Sequence, residues 1–245
     1  MLPARYTLGL LAGLALIAPS TAYAQDGYLF KQPVVSIAVR AGAALPSAND
    51  DLHNVFMREF TLGRGDFRSA MVGADASFVI NPRMDLTVGA SYSKSNSNSE
   101  YRDWVGVDDL PIAQHTSVRR VPLTAGVKFY PVERGRSLSR YAWVPNNVLP
   151  YAGAGAGIMF YKVELDGEFV DEDLDVVPDY LASSGNAPML NLFGGLEWWA
   201  HPRFGLNLEG RYHLASAKLD PDFSPDIEKI NLRGFQLTAG VVARF

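Results

Sequence analysis

The sequence predicts an all-β protein, an eight-stranded antiparallel up-and-down transmembrane β-barrel with four long outer loops and three periplasmic turns. Three observations carry this expectation. The stretch Arg233 to Phe245 alternates strictly: Phe235, Leu237, Ala239, Val241, Ala243 and Phe245 form one row, and Gly234, Gln236, Thr238, Gly240 and Arg244 the other, broken only by Val242. Such alternation marks a strand wet on one side and dry on the other. Connections between segments of this kind alternate long and short along the chain, which places the long ones together on one side of a membrane. Aromatic residues gather at both strand ends, as in the two interfacial girdles of such barrels.

The segments follow in order. The first strand runs about Val34 to Ala43, with Val35, Ile37, Val39 and Ala41 on one face and Ser36, Arg40 and Gly42 on the other; Pro46 to Gly65 is a long loop. The second and third strands, about Phe67 to Ile80 and Met84 to Ser93, flank the tight turn Asn81-Pro82-Arg83. A proline is tolerable there because a turn needs no ladder hydrogen bond. A three-residue turn sets Ile80 opposite Met84 and Phe78 opposite Leu86. Lys94 to His115 is the second long loop, and the fourth strand is about Val118 to Phe129. A basic link, Tyr130 to Leu149, carries Arg134, Arg136 and Arg140. The fifth strand, about Pro150 to Val163, opens with alternate glycines, and Glu164 to Pro188 is the third long loop. The sixth and seventh strands, about Met189 to Ala200 and Phe204 to His213, flank His201-Pro202-Arg203, a second x-Pro-Arg turn. The register there pairs Trp198 with Leu206. Ala215 to Asn231 is the fourth long loop, and the eighth strand pairs back to the first.

The N-terminus has a basic residue, Arg5, an apolar core from Leu8 to Ala18 and the small-x-small pattern Ala22-Tyr23-Ala24. This predicts an export signal over residues 1–24, cleaved after Ala24, with residues 25–245 forming one barrel domain. The apolar run is too short to span a bilayer as a helix. Hydrophobic content is 48% and mean hydropathy is near zero, which suits alternating strands as well as a soluble protein. The formal net charge is −4 without a basic stripe, so nucleic acid is not expected as a partner. Cysteine is absent, which excludes disulfide scaffolds, thiolate metal sites and cysteine nucleophiles.

Alternation alone does not say which face is inside. A soluble eight-stranded barrel of the lipocalin kind puts its apolar face inward. Here the polar rows are mostly Gly, Ser, Thr and Asn with few charges, whereas a solvated surface is dense in Lys and Glu. The apolar face is therefore expected outside, in lipid. Arg40, Lys128, Arg211 and Arg244 then point inward with Asp75, Glu197 and Glu209. Charges in a narrow interior must pair or stay hydrated. Eight strands leave room only for side chains, so this set reads as a salt-bridged plug, with an ion path as the sharper alternative.

The segments Arg120-Val-Pro-Leu-Thr-Ala-Gly-Val-Lys-Phe-Tyr-Pro131, Pro150-Tyr-Ala-Gly-Ala-Gly-Ala-Gly157 and Leu237-Thr-Ala-Gly-Val-Val-Ala-Arg-Phe245 resemble those of small eight-stranded outer-membrane proteins, the group of the OmpA membrane domain, OmpX and OmpW. The resemblance implies a Gram-negative outer-membrane location, contact with outer-membrane lipid and lipopolysaccharide, and a monomer. It also implies recognition of Phe245 by the outer-membrane assembly machinery. The wall-binding domain of OmpA-type proteins is not expected after Phe245.

Three candidate sites remain. Asp166, Glu168, Asp171, Glu172, Asp173 and Asp175 crowd the third loop. Divalent cations or cation-bridged lipopolysaccharide phosphates are the ligands such a set suggests, but a hard cation needs converging oxygens, and a solvated acidic loop is the plainer reading. Arg64-Gly65-Asp66 matches an adhesion tripeptide, against the plainer reading of a turn glycine between charges. Barrel enzymes that modify lipid A include deacylases with His-x-Ser on an outward strand. Here His213 is followed by Ser216 at His-x-x-Ser spacing and lies on the inward parity, so no enzyme, cofactor or metal is expected. The function expected is non-enzymatic: structural support or interaction with a host or surface ligand through the loops. A narrow conduit for small or hydrophobic solutes is the alternative, and a lipid A-modifying enzyme the third.

Overall fold

The computed structural model describes residues 28–49, 51–106, 109–170, 175–219 and 229–245; the expected export signal lies outside them. Strands β1 (Val35–Pro46), β2 (Ser69–Asn81), β3 (Met84–Val105) and β4 (Pro111–Phe129) follow one another as antiparallel neighbours. After a small hairpin, β5 (Gly135–Ser139) and β6 (Ala142–Pro145), the ring continues with β7 (Val148–Val170), β8 (Val176–Trp198) and β9 (Phe204–Lys218). A short β10 (Lys229–Asn231) adds to the upper edge of β9, and β11 (Gly234–Arg244) pairs with both β9 and β1, closing the ring. Eight strands thus close on themselves, and closure removes the raw edges of an open sheet.

The wall is inside out relative to a soluble barrel. On β9, Phe204, Leu206, Leu208 and Tyr212 are exposed, while Asn207, Glu209, Arg211 and His213 are buried. On β11, Phe235, Leu237 and Val241 are exposed, and Gln236, Thr238 and Arg244 are buried. Val242, the residue that breaks the polar row, is buried in the lumen. Hydrophobic side chains facing out and charges facing in fit a lipid surround, where each backbone group is satisfied by its neighbour strand. Exposed Phe78, Phe129, Trp198, Phe204 and Phe245 ring the turn end; Tyr92, Phe160, Tyr212 and Phe235 ring the other. From Phe235 to Phe245, ten residue steps of about 3.3 Å tilted by roughly 40° give a belt about 25 Å tall. That matches the apolar band of an outer-membrane barrel. No helix among the described residues is long and apolar enough to cross a membrane, which says nothing against a barrel.

Two of the three expected registers hold: Phe78 faces Leu86 and Trp198 faces Leu206; the expected closure of the eighth strand on the first is made with Val39 opposite Val241. The Ile80–Met84 pairing does not. Asn81 pairs with Met84 through a bulge at Ile80, and the Asn81 side chain accepts a hydrogen bond from the Arg83 N–H at 2.9 Å. The local side-chain bond lets the chain turn one residue tighter than its proline suggested.

The long loops differ more. Much of Lys94 to His115 and of Glu164 to Pro188 is paired strand: β3 and β4 stay in register from Ser93↔Arg120 to Glu100↔Ala113, and β7 and β8 up to Val170↔Val176. The first loop contains a helix, α1 (Asp51–Glu59), then a 3-10 turn over Arg64–Phe67. The basic link holds the β5–β6 hairpin, which bridges Leu29 to Trp143 at the turn end.

Candidate functional site

The lumen is filled in layers. At mid-height, Arg40 grips Asp75 through both Nε and Nη2, and Arg211 Nη2 lies 3.3 Å from Asp75 Oδ1. Arg211 also donates from Nε to Glu209 Oε1 at 2.9 Å, and Arg40 Nη1 lies 3.6 Å from the same carboxylate oxygen. Glu209 Oε2 accepts from Tyr151 OH at 3.0 Å, and Asn207 Nδ2 donates to that hydroxyl at 2.7 Å. The Arg211 guanidinium rests over the Phe193 ring at 4.8 Å. Register explains the assembly. Arg40 pairs with Gly73 on one side and Gly240 on the other, so the long arginine crosses the space above two residues that have no side chain.

A second charged layer closes the turn end. Lys128 Nζ donates to Glu197 Oε1 at 3.1 Å, and Tyr130 OH lies 3.2 Å from both Glu197 Oε1 and Asp85 Oδ2. Arg134 binds Asp85 and donates to the carbonyls of Asn81 at 2.6 Å and Pro82 at 3.3 Å. Arg244 is stacked between Trp199, 3.8 Å away, and Trp143, 5.3 Å away, and donates to the Pro202 carbonyl at 2.6 Å. All seven charges expected inside are therefore buried, in two ionic layers rather than one. Asp85, Tyr130, Arg134, Tyr151 and Trp143 complete them and were not foreseen. Asp85 was legible from its inward parity. Arg134 and Trp143 were not, because they enter the barrel on the β5–β6 hairpin.

The outer mouth is sealed by apolar packing. Leu52, Phe56 and Phe60 of the α1 segment, with Leu62 and Phe67, pack on Met159, Val163, Leu165, Met189, Ile230 and Leu232. Leu52, Phe56 and Phe60 recur every fourth residue, a helical signal. Between this cap and the charged layers lie Asn191 and Gln236, with Asn191 Nδ2 and Oδ1 and Gln236 Oε1 lacking partners among the described residues. Two small spaces adjoin the filled lumen, of about 20 Å³ beside Gln236 and about 30 Å³ beside Glu197.

The other expected sites resolve individually. Arg64, Gly65 and Asp66 sit in the 3-10 turn, where the Asp66 carboxylate accepts from the Gly63 N–H at 2.8 Å and its carbonyl accepts from Ser97 Oγ at 2.7 Å. The tripeptide is folded onto its own backbone, with Phe67 buried against His53 beneath it. Asp166, Glu168 and Asp175 are exposed on the upper β7–β8 hairpin; Asp171, Glu172 and Asp173 lie outside the described residues. Among the described residues no three potential metal ligands converge. His213 is buried and Ser216 exposed, on opposite sides of the wall. Below the acidic tip, Glu164 Oε1 accepts from Lys162 Nζ and from Tyr180 OH, each at 2.6 Å. Those bonds, Lys162's first, hold the Glu164 carboxyl below its ordinary pKa and raise that of Lys162.

The chain is an inside-out β-barrel with a filled lumen. No family model matches it, and no curated protein matches it either. Solved structures with similar chains include Neisserial surface protein A (15% identity, 86% of this chain and 96% of that one, TM-score 0.47). Ail, the attachment invasion locus protein of Yersinia pestis, is 13% identical over 88% of this chain and 100% of that one, TM-score 0.46. OprG of Pseudomonas aeruginosa is 12% identical over 89% and 99%, TM-score 0.48. At these scores the likenesses carry no functional argument; the barrel is read from its own strands.

Proposed function

We propose that this protein is a non-enzymatic barrel of the bacterial outer membrane whose work is done by hairpins raised above its lipid belt. The observation that carries the reading is the unbroken pairing of β7 and β8 from Phe160, at the outer girdle, to Val170↔Val176. A hydrogen-bonded hairpin holds an exposed surface in one geometry at low entropic cost to a partner, unlike a loose loop of equal length. Its exposed acidic residues, Asp166, Glu168, Asp175 and Asp179, favour a cationic or cation-bearing ligand. The charged layers argue against the alternative of a narrow conduit, since a solute would have to separate buried ion pairs at several kcal/mol each.

The test replaces Glu168 to Pro178 by Asn-Gly, joining Gly167 to Asp179 through a two-residue turn. Adhesion of expressing cells to immobilised basic matrix proteins and surface glycans is then measured, with heat-modifiable gel migration as the check on folding. Loss of adhesion with retained migration is expected. Unchanged adhesion, together with reproducible single-channel steps of the wild type in planar bilayers, would transfer the function to conduction.

A further inference from the structure

Three cations stand side by side on the outer wall one rung beyond the aromatic girdle. Lys94 of β3 lies directly opposite Arg119 of β4, and Arg119 directly opposite Lys162 of β7. All three share the outward parity of Tyr92, Val121 and Phe160, the apolar residues two positions nearer the membrane on the same strands. Neighbouring strands are about 4.8 Å apart, so three positive charges occupy roughly 10 Å of wall. Like charges directly opposite one another destabilise a sheet. A protein tolerates such a row where an anion sits on it. Of the three, Lys162 is ion-paired with Glu164 at 2.6 Å, leaving Lys94 and Arg119 exposed among the described residues.

A second observation points to a ligand at the same place. Ser117 follows Arg119 on the outward row, opposite Asn96 and Glu164. It is only 4% exposed, and its hydroxyl has no hydrogen-bond partner among the described residues. A buried hydroxyl without a partner costs free energy unless an acceptor arrives.

We infer that Lys94, Arg119 and Lys162, with the Ser117 hydroxyl, form a binding site for the phosphate of a phosphorylated lipid headgroup in the outer leaflet. The inference rests on the outer-membrane reading above. The source of the phosphate is set by position. The row is continuous with the lipid-facing belt, so an anion there can keep its acyl chains against Val121, Leu123, Ile158 and Phe160, all on the outer face. Arginine presents a planar fork suited to phosphate, and lysine a point charge beside it. Glu164 turns the Lys162 ammonium and bounds the site above, where the acidic hairpin begins to repel anions.

The test uses the full barrel folded in phosphatidylcholine vesicles that contain lipid A, or lipid A stripped of its phosphates, with bound lipid counted by native mass spectrometry after extraction. K94Q/R119Q removes two cations without unpairing Glu164. The wild type is expected to retain intact lipid A, and K94Q/R119Q to retain it about a hundredfold less, at about a factor of ten for each of the two charged donors lost. The charge-keeping K94R/R119K and the opposite-end R83Q are expected to bind like the wild type. Equal retention by K94Q/R119Q, or equal retention of dephosphorylated lipid A, overturns the site. Displacement by millimolar inorganic phosphate overturns its assignment to a lipid. Failure of every variant and the wild type to insert, seen as absent heat-modifiable migration, instead overturns the membrane reading beneath it.

Discussion

Replacing Gly89 by alanine tests whether Asp75 is the keystone of the mid-lumen layer. Gly89 faces inward on β3, opposite Asp75 on β2. A Cβ built there overlaps Asp75 Oδ1 and comes within 2.9 Å of its Cγ and 3.2 Å of the Ala74 carbonyl oxygen. Backbone atoms of the wall cannot give way, so the carboxylate must. Asp75 is held by Arg40 and by Arg211, and both guanidiniums would then share Glu209 alone. Removing one partner of a buried pair costs about 3–5 kcal/mol. Displacement without deletion belongs at the lower end, about 3 kcal/mol, or roughly a hundredfold in the folded-to-unfolded ratio. The assay is urea unfolding in vesicles, followed by the heat-modifiable gel band, on the wild type, G89A, D75A and G89A/D75A. Once Asp75 is gone the overlap is gone, so G89A is expected to cost under about 1 kcal/mol in the D75A background. G65A is the control, because a Cβ at Gly65 meets nothing within 4 Å among the described residues. Stability of G89A within about 0.5 kcal/mol of wild type, or full additivity with D75A, would refute the keystone role.

Other outcomes follow from the same geometry. Arg134→Ala leaves the buried Asp85 carboxylate with Tyr130 as its remaining hydrogen-bond partner. It should lower stability by about 3 kcal/mol and admit water at the turn end, read as faster hydrogen exchange at Asp85 and Thr87. Phe56→Ala should cost about 3 kcal/mol locally and detach α1 from the mouth, so limited proteolysis within residues 51–59 is expected to rise sharply; an unchanged cleavage rate would mean the helix does not seal the barrel. Glu164 is a carboxylate with a depressed folded pKa. Its stabilising bonds are fully present above the ordinary carboxylate range and are lost as pH falls through the lower folded value. Protection of the amides from Tyr180 to Ser184, measured relative to intrinsic exchange at each pH, should therefore fall as pH drops below the ordinary carboxylate range in the wild type but not in E164Q; equal profiles would count against this linkage.

The extent to which the sequence foretold the molecule follows from how far each interaction reaches. Alternation is a local property of a strand, so the inward placement of Arg40, Asp75, Lys128, Glu197, Glu209, Arg211 and Arg244 was readable one residue at a time. Phe78↔Leu86 and Trp198↔Leu206 were readable because a tight turn counts out its own register. The Ile80 bulge was missed because one Asn81 side-chain bond outweighed the count. The long loops differ from their sequence pattern for another reason. Stretches such as Asn96 to Ser99, which is wholly polar, and Asp179 to Ser184, which lacks strict alternation, read as coil, yet each has a paired neighbour across its whole length. Pairing partners, not composition, made them strands.

Sequence alone therefore determined that this chain is a barrel, which face meets lipid, and that Arg40, Asp75, Lys128, Glu197, Glu209, Arg211 and Arg244 lie inside, though not that Asp85 and Arg134 join them. Those facts follow from a two-residue period and from the cost of leaving charges in hydrocarbon. Tertiary structure decided how the inside is divided. Arg40 meets an aspartate 35 residues away, Arg211 meets that same Asp75 from 136 residues away, and Arg134 reaches Asp85 from a hairpin outside the ring. Those encounters depend on the closure and stagger of all eight strands, which no single strand contains. The same closure brought Lys94, Arg119 and Lys162, unremarkable singly in the sequence, onto one rung at the edge of the membrane belt.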